Sequence, residues 1–299
     1  MSRSEGSPGL RVLLAGAIDY AGLFPPAGLS LPEAVANYGE YRRSSDHWAL
    51  GRFVVATDRL PELADRLFQA EPAGWRGARV SATAGPSLGA AVEAVVRFNG
   101  RLEGRAIAVD ALEAKMADGD AIEHFTALLP NGVVGYAEIP PGGDQDGLLE
   151  RLGRHGLNAK LRMGGVTRDL FPSGDGVAAF LAAVAARRVP FKATAGLHHP
   201  VRGEYRLTYD EGSPRAPMYG FLNLAVATMV ALDGGPRDRI VAALQDDDPT
   251  AFAAEGSGLR WRDRRFGAAG VEGLRRSFHG FGSCSFREPI DELEPALAR

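Results

Sequence analysis

Two lysines stand in this chain inside short apolar runs, where an ammonium is out of place. Asn158-Ala-Lys-Leu-Arg-Met-Gly164 holds Lys160 and Pro190-Phe-Lys-Ala-Thr-Ala-Gly196 holds Lys192, each four residues before a glycine. Burial disfavours the charged form of an amine, and a neighbouring cation lowers its pKa further. A neutral amine adds to a carbonyl carbon to give an imine. An ordinary lysine, with a pKa near ~10.4, offers under about 0.1% of that form at neutral pH. Carboxylates that could move protons occupy comparable runs, Asp110 at the end of Ala106–Asp110 and Glu138 within Val133–Ile139. The Lys192 run then ends in paired imidazoles, His198 and His199. Each residue also has a structural reading: a lysine at a strand end can snorkel, an Asp can cap a loop, and a Glu can neutralise a lysine.

Function of this kind needs elements that bring distant residues together. Short apolar runs alternate with helical patterns from residue 10 to residue 200. Strands are expected at Val12–Ile18, Phe53–Ala56, Arg79–Thr83, Ala106–Asp110, Val133–Ile139, Ala159–Met163 and Phe191–Ala195. Helices with apolar residues at i, i+3, i+4 spacing are expected at Leu31–Arg43, Leu60–Gln69, Leu88–Phe98, Ala121–Leu129, Gly147–His155 and Gly176–Arg188. Such alternation makes a parallel sheet covered by helices. The first strand is not followed by a G-x-G-x-x-G or P-loop pattern, which argues against a nucleotide-binding open sheet. An eighth strand would close a (β/α)8 TIM barrel, the fold class expected here. Side chains alternate along a strand. With Ile107, Val109, Leu161, Met163, Phe191 and Ala193 facing the helices, the inward set includes Asp110, Asn158, Lys160, Arg162, Lys192 and Thr194. Glu138 shares its parity with Val134 and Tyr136, so four consecutive strands send Asp110, Glu138, Lys160 and Lys192 to one barrel mouth.

The rhythm breaks after residue 200, without a linker. A single domain over 1–299 with a mainly helical insertion at about 201–275, before the last strand, is the expected organisation. Within it, 201–216 reads as an exposed loop, Pro217–Leu232 and Pro236–Leu244 as helices, Pro249–Glu255 as a shorter helix, Leu259–Phe266 as an edge strand and Ala268–Phe278 as a helix. The acidic run Asp246–Asp248 reads as capping or solvating a helix end, and the arginines 260, 262, 264 and 265 as wet surface, with contacts to an anionic substrate left open. A net charge of −3 gives no basic face for nucleic acid. The one cysteine, Cys284, excludes an internal disulfide framework and any Cys-rich metal centre, and fits a cytoplasmic setting. The charge-free stretch Ala216–Leu232 contains Asn223 and falls short of a membrane span, so it reads as a buried helix.

With the strands counted, the residues resemble a family. Ile18-Asp19-Tyr20-Ala-Gly-Leu-Phe-Pro is similar to the first-strand motif of deoxyribose-phosphate aldolases, class I aldolase barrels. That family carries an Asp on strand four, the Schiff-base Lys on strand six and an activating Lys on strand seven, places taken here by Asp110, Lys160 and Lys192. Phe281-Gly-Ser-Cys-Ser285, before an expected helix at Ile290–Ala298, resembles its phosphate-gripping turn. The likeness spans about residues 12–200 and 277–298. It departs at Arg162, where the family has a small hydroxyl residue, at the longer interval between strands seven and eight, and at the paired histidines.

The resemblance implies the reaction class, carbon–carbon lyase chemistry through an imine without metal or cofactor, and not the substrate, which is expected to be a small anionic carbonyl compound. Lys160 is the expected nucleophile and Lys192 its activator, with the exchange of roles open. Asp110 and Glu138 would handle protons, while Asp19, Arg162, Thr194, His198, Gly282, Ser283 and Ser285 would bind substrate. A helix N-terminus after Gly282–Ser285 would offer free N–H groups to an anion, or serve simply as an N-cap turn. A metal-assisted hydrolase or isomerase using His198 or His199 with Asp or Glu is the alternative, although the usual H-x-H and H-E-x-x-H spacings are missing. A non-catalytic barrel that binds a partner through the 201–275 insertion is a third reading. Neither nucleic acid nor membrane is an expected partner, and homo-oligomerisation is left open.

Overall fold

In a computed structural model, residues 7–70, 72–139, 145–293 and 296 are described. Eight parallel strands close a barrel: β1 (Ile18–Tyr20), β2 (Leu50–Ala56), β3 (Arg79–Thr83), β4 (Ala108–Lys115), β5 (Val134–Glu138), β6 (Asn158–Arg162), β7 (Phe191–Thr194) and the late strand β13 (Phe278–Ser283), which pairs with both β7 and β1. This is the expected (β/α)8 architecture. Its outer ring comprises α2 (Leu31–Tyr41), α3 (Leu60–Gln69), α4 (Leu88–Leu102), α5 (Gly119–Leu128), α6 (Gln145–Arg154) and α7 (Gly174–Arg187). The helix starts carry their signals in the sequence. Ser30 and Glu33 form a reciprocal capping box, and Ser87, Asp118 and Ser173 each accept a backbone N–H from their own first turn.

The first expected strand is wrong. Val12 lies in the helix α1 (Pro8–Leu14), entered through Ser7 as N-cap with proline in the first turn, and the barrel strand begins only at Ile18. An apolar run of this length cannot be assigned by periodicity alone.

Strand β4 also differs from expectation, with consequences for the site. It runs on past Asp110 to Lys115, and its register against β3 slips, Val80 pairing with Val109 but Ser81 with Ala111. Asp110 is the extra residue of this bulge, and a bulge inverts the in–out alternation beyond it.

The insertion is more β-rich than expected. The segment read as a loop holds an antiparallel hairpin, β8 (Gly203–Arg206) with β9 (Arg215–Met218). Pro249–Glu255 is a short turn leading into β10 (Phe252–Glu255), which forms a three-stranded sheet with β11 (Gly258–Trp261) and β12 (Arg264–Phe266). The helices α8 (Phe221–Leu232), α9 (Arg237–Gln245) and α10 (Ala268–Ser277) hold close to their expected positions. Residues Phe221 to Ala231 of α8 are all buried. Asn223 is accommodated there because its amide donates to the Ala243 and Asp246 carbonyls and accepts the Arg202 N–H. Within the acidic run Asp248 caps the short turn at Pro249–Ala251, as one expected reading has it, whereas Asp246 is buried and accepts from Trp261 Nε1 and from Nε and Nη2 of Arg262. Arg260 and Arg265 pair with Glu255, and Arg264 pairs with Asp233. One stretch, Arg168–Arg187, has the length and apolarity to cross a membrane, but its helical part, α7, packs against α6, α8 and α9. After β13 comes α11 (Arg287–Asp291), and residues 294, 295, 297 and 298 of the helix expected over Ile290–Ala298 lie outside the described residues.

Candidate active site

Lys115, Glu138, Lys160, Lys192 and Gly280 are successive register partners across β4, β5, β6, β7 and β13. This row puts both lysines on one level, as alternation predicts. The acid that joins them is Glu113 and not Asp110. One carboxylate oxygen of Glu113 accepts from Lys192 Nζ at 2.7 Å and from Ser81 Oγ at 2.6 Å, while the other faces Lys160 Nζ at 3.0 Å. Lys160 is held on its other side by Glu138 at 3.0 Å, and Lys192 by Asp19 at 2.5 Å. The chain of charges therefore reads Asp19, Lys192, Glu113, Lys160, Glu138, with anions at both ends. The Tyr136 ring lies 5.3 Å from the Lys192 ammonium and supplies a cation–π contact.

Asp110 is removed from this group. It faces Arg52 through a two-pronged contact at 2.7 and 3.0 Å, with Arg79 at 3.8 Å. The bulge explains the displacement. Asp110 and Glu113 are three residues apart and would point oppositely in a regular strand, but the added residue lets both face inward at different heights. The expected strand Ala106–Asp110 stops short of Glu113, and alternation counted on from an inward Asp110 would turn Glu113 outward.

Electrostatics in the cluster are dominated by pairing. Burial opposes charge on Lys160, but Glu113 and Glu138 outweigh it and raise its pKa. Lys192 is raised for the same reason by Asp19 and Glu113. Burial likewise opposes ionisation of Glu113, yet the two ammonium groups hold its carboxyl well below the usual range. Both lysines thus rest as ammonium ions, contrary to the expectation that mutual repulsion would neutralise one. The intervening carboxylate removes that repulsion.

A cavity of about 360 Å³ opens over the cluster, lined by Glu113, Glu138, Lys160 and Lys192, by Arg162 and Thr194, and by Gly282 and Cys284. Lys160 has a side chain 12% exposed and Lys192 only 2%, so Lys160 is the more accessible of the two amines. The rim cations Lys115 and Arg162 line this cavity too. Ala195, at the end of β7, lines the same cavity with φ of +62°, a left-handed conformation that disfavours a side chain bearing Cβ.

The remaining expected residues divide. Thr194, Gly282 and His198 line the cavity. Asp19 does not line it, being buried behind Lys192 with its second oxygen on the Arg52 N–H at 2.7 Å. Ser283 and Ser285 are turned to local bonds, Ser283 Oγ donating to the Ser285 carbonyl and Ser285 Oγ accepting the Glu288 N–H. The turn leads into the described helix α11, Arg287–Asp291.

The two histidines go separate ways. His199 Nδ1 lies 2.7 Å from Glu292 and its ring stacks on Tyr205. His198 Nδ1 faces Ser283 Oγ at 3.2 Å, Glu288 at 3.4 Å and Cys284 Sγ at 3.8 Å. Among the described residues, no group of three or more His, Cys, Asp or Glu side chains is arranged to hold a metal ion. Cys284, not singled out in the sequence because a lone cysteine carries no spacing signal, is part of the cavity wall. No protein-family model matches the chain, and no curated protein does.

Proposed function

We propose that the barrel is a class I carbon–carbon lyase or aldolase that binds a small anionic carbonyl compound as an imine of Lys160. The observation that carries this reading is the position of Lys160. Its amine borders the cavity between Glu113 and Glu138, while Lys192 is locked behind it by Asp19 and Glu113. Lys160 surrenders one proton to Glu138, the more exposed of its two carboxylates, and the freed amine adds to the carbonyl carbon. Loss of water leaves a protonated imine, an electron sink for cleavage of the adjacent carbon–carbon bond. Lys192 keeps Glu113 ionised throughout, so the imine cation keeps a counter-charge. Arg162 and Lys115 meet the anionic end of the substrate, since neither has an ion-pair or hydrogen-bond partner among the described residues. A cytoplasmic enzyme acting on metabolite-sized substrates, without nucleic acid or membrane, fits this reading.

The test is borohydride reduction in the presence of short aldehydes and 2-oxo acids, followed by intact mass and peptide mapping. A single reduced adduct on Lys160 is expected, absent in Lys160→Arg. Its rate rises with pH, because the raised Lys160 pKa limits the free amine. No adduct with any compound, or an adduct that persists unchanged in Lys160→Arg, would overturn the proposal in favour of a binding module or another chemistry.

A further inference from the structure

Beside the lysine cluster the cavity wall holds a second set of reactive groups that the imine chemistry does not use. Cys284 Sγ is 3.8 Å from His198 Nδ1 and 3.4 Å from the Tyr209 hydroxyl, which in turn donates to Glu288 at 3.1 Å. Glu288 is also 3.4 Å from His198 Nδ1, so acid, imidazole and thiol form one compact constellation. It stands at a junction. Cys284 and His198 line the cavity over Lys160, and His198 and Glu288 line a second cavity of about 290 Å³ under the β8–β9 hairpin. The two cavities share Pro25, Gly165, Ala195 and His198 in their walls.

We propose that Cys284 is a second nucleophile of this mouth, which captures a small aldehyde reversibly as a thiohemiacetal. The thiolate lone pair forms the S–C bond, the carbonyl π pair moves to oxygen, and that oxygen takes the Nδ1 proton of the His198 imidazolium. Atoms and charge balance without an oxidant, and the reverse step returns the aldehyde. The charge states suit this. Burial disfavours both ions, but their mutual hydrogen bond and Glu288 push the imidazole up to about 10, and the thiol is lowered by His198. A low thiol pKa beside an imidazolium is the arrangement of a reactive cysteine.

The test needs no identified substrate and does not depend on imine formation. Iodoacetamide is reacted with the native chain across pH 5–9 and alkylation is read by intact mass, Cys284 being the single thiol. The expected profile has its midpoint well below the ordinary value of about 8.5, with His198→Gln moving it upward by at least one pH unit. Propanal is then titrated as a protecting agent in the wild type and in Lys160→Arg, which cannot form an imine. Protection retained in Lys160→Arg supports the thiohemiacetal. An ordinary thiol profile, labelling only on unfolding, or protection lost with Lys160 would overturn it.

Discussion

Replacing Glu113 by Gln tests whether one buried carboxylate organises both lysines. The side chain is 1% exposed and contacts ammonium groups at 2.7 and 3.0 Å. At an effective dielectric near 20, a unit-charge pair about 4 Å apart is worth about 4 kcal/mol, so two lysines give about 8, against which stands the cost of burying the carboxylate. The expected loss, about 4 kcal/mol, falls within the ~3–5 kcal/mol that breaking a buried pair usually costs. Gln preserves the shape and can still accept from Ser81, so the loss reports charge. Two measurements follow. Urea unfolding at pH 7 loses about 4 kcal/mol, and the pH at which Lys160 is half-trapped by borohydride falls, one carboxylate having left its ammonium. The acid limb changes as well. A carboxyl held below its unfolded pKa of about 4.3 contributes stability above that pH and loses it as pH falls toward the folded value, so Glu113→Gln flattens the decline below about pH 4.3. Unchanged stability together with an unmoved trapping midpoint would refute the assignment of Glu113 as the bridge.

Asp110→Asn should lower stability by about 1–3 kcal/mol through the partly buried Arg52 contact, while leaving the rate of imine trapping within about twofold; a collapse of trapping with stability intact would put Asp110 back in the chemistry. His279 accepts or donates at 2.9 Å with the Tyr136 hydroxyl, and burial with nearby Arg275 and Arg52 lowers its pKa to about 4. A histidine depressed in the fold contributes no penalty above its unfolded value of about 6.5 and costs stability progressively as pH falls from there to about 4. NMR titration should therefore show His279 neutral until about pH 4, and a midpoint near 6.5 would contradict the burial argument.

The strand–helix rhythm was legible because each layer is specified locally. Apolar pairs such as Val54–Val55 and the serine caps at Ser30, Ser87 and Ser173 need no distant partner to be read. The inward parity of Lys160, Lys192 and Glu138 was legible for the same reason, since these strands are regular. Glu113 was not, because a one-residue bulge reverses parity and leaves no mark in the local sequence. Asp19 was recognised as a site residue but given the wrong contact, since only the closed register puts it behind Lys192. The sheet β10–β12 escaped notice because its strands are three or four residues long, too short for alternation to stand out. Likewise, nothing near Cys284 announces His198 and Tyr209, which reach it from far upstream in the chain.

The late position of β13 has a consequence for how the chain folds during synthesis. Strand β7 ends at Thr194, whereas the strand that seals it to β1 begins at Phe278. At about 5–20 residues per second, the ribosome leaves this seam open for several seconds after the other seven strands have emerged. During that interval β1, only three residues long, has β2 alone to pair with, and β7 presents an unpaired edge. Asp19 is carried on that loosely held strand, so Lys192 gains its second carboxylate only when the seam closes. The insertion lies in the gap, and α8 contacts α7 on one side and β13 on the other. It is therefore the first element able to shelter the open edge, and the charge cluster is completed at the last step of barrel closure.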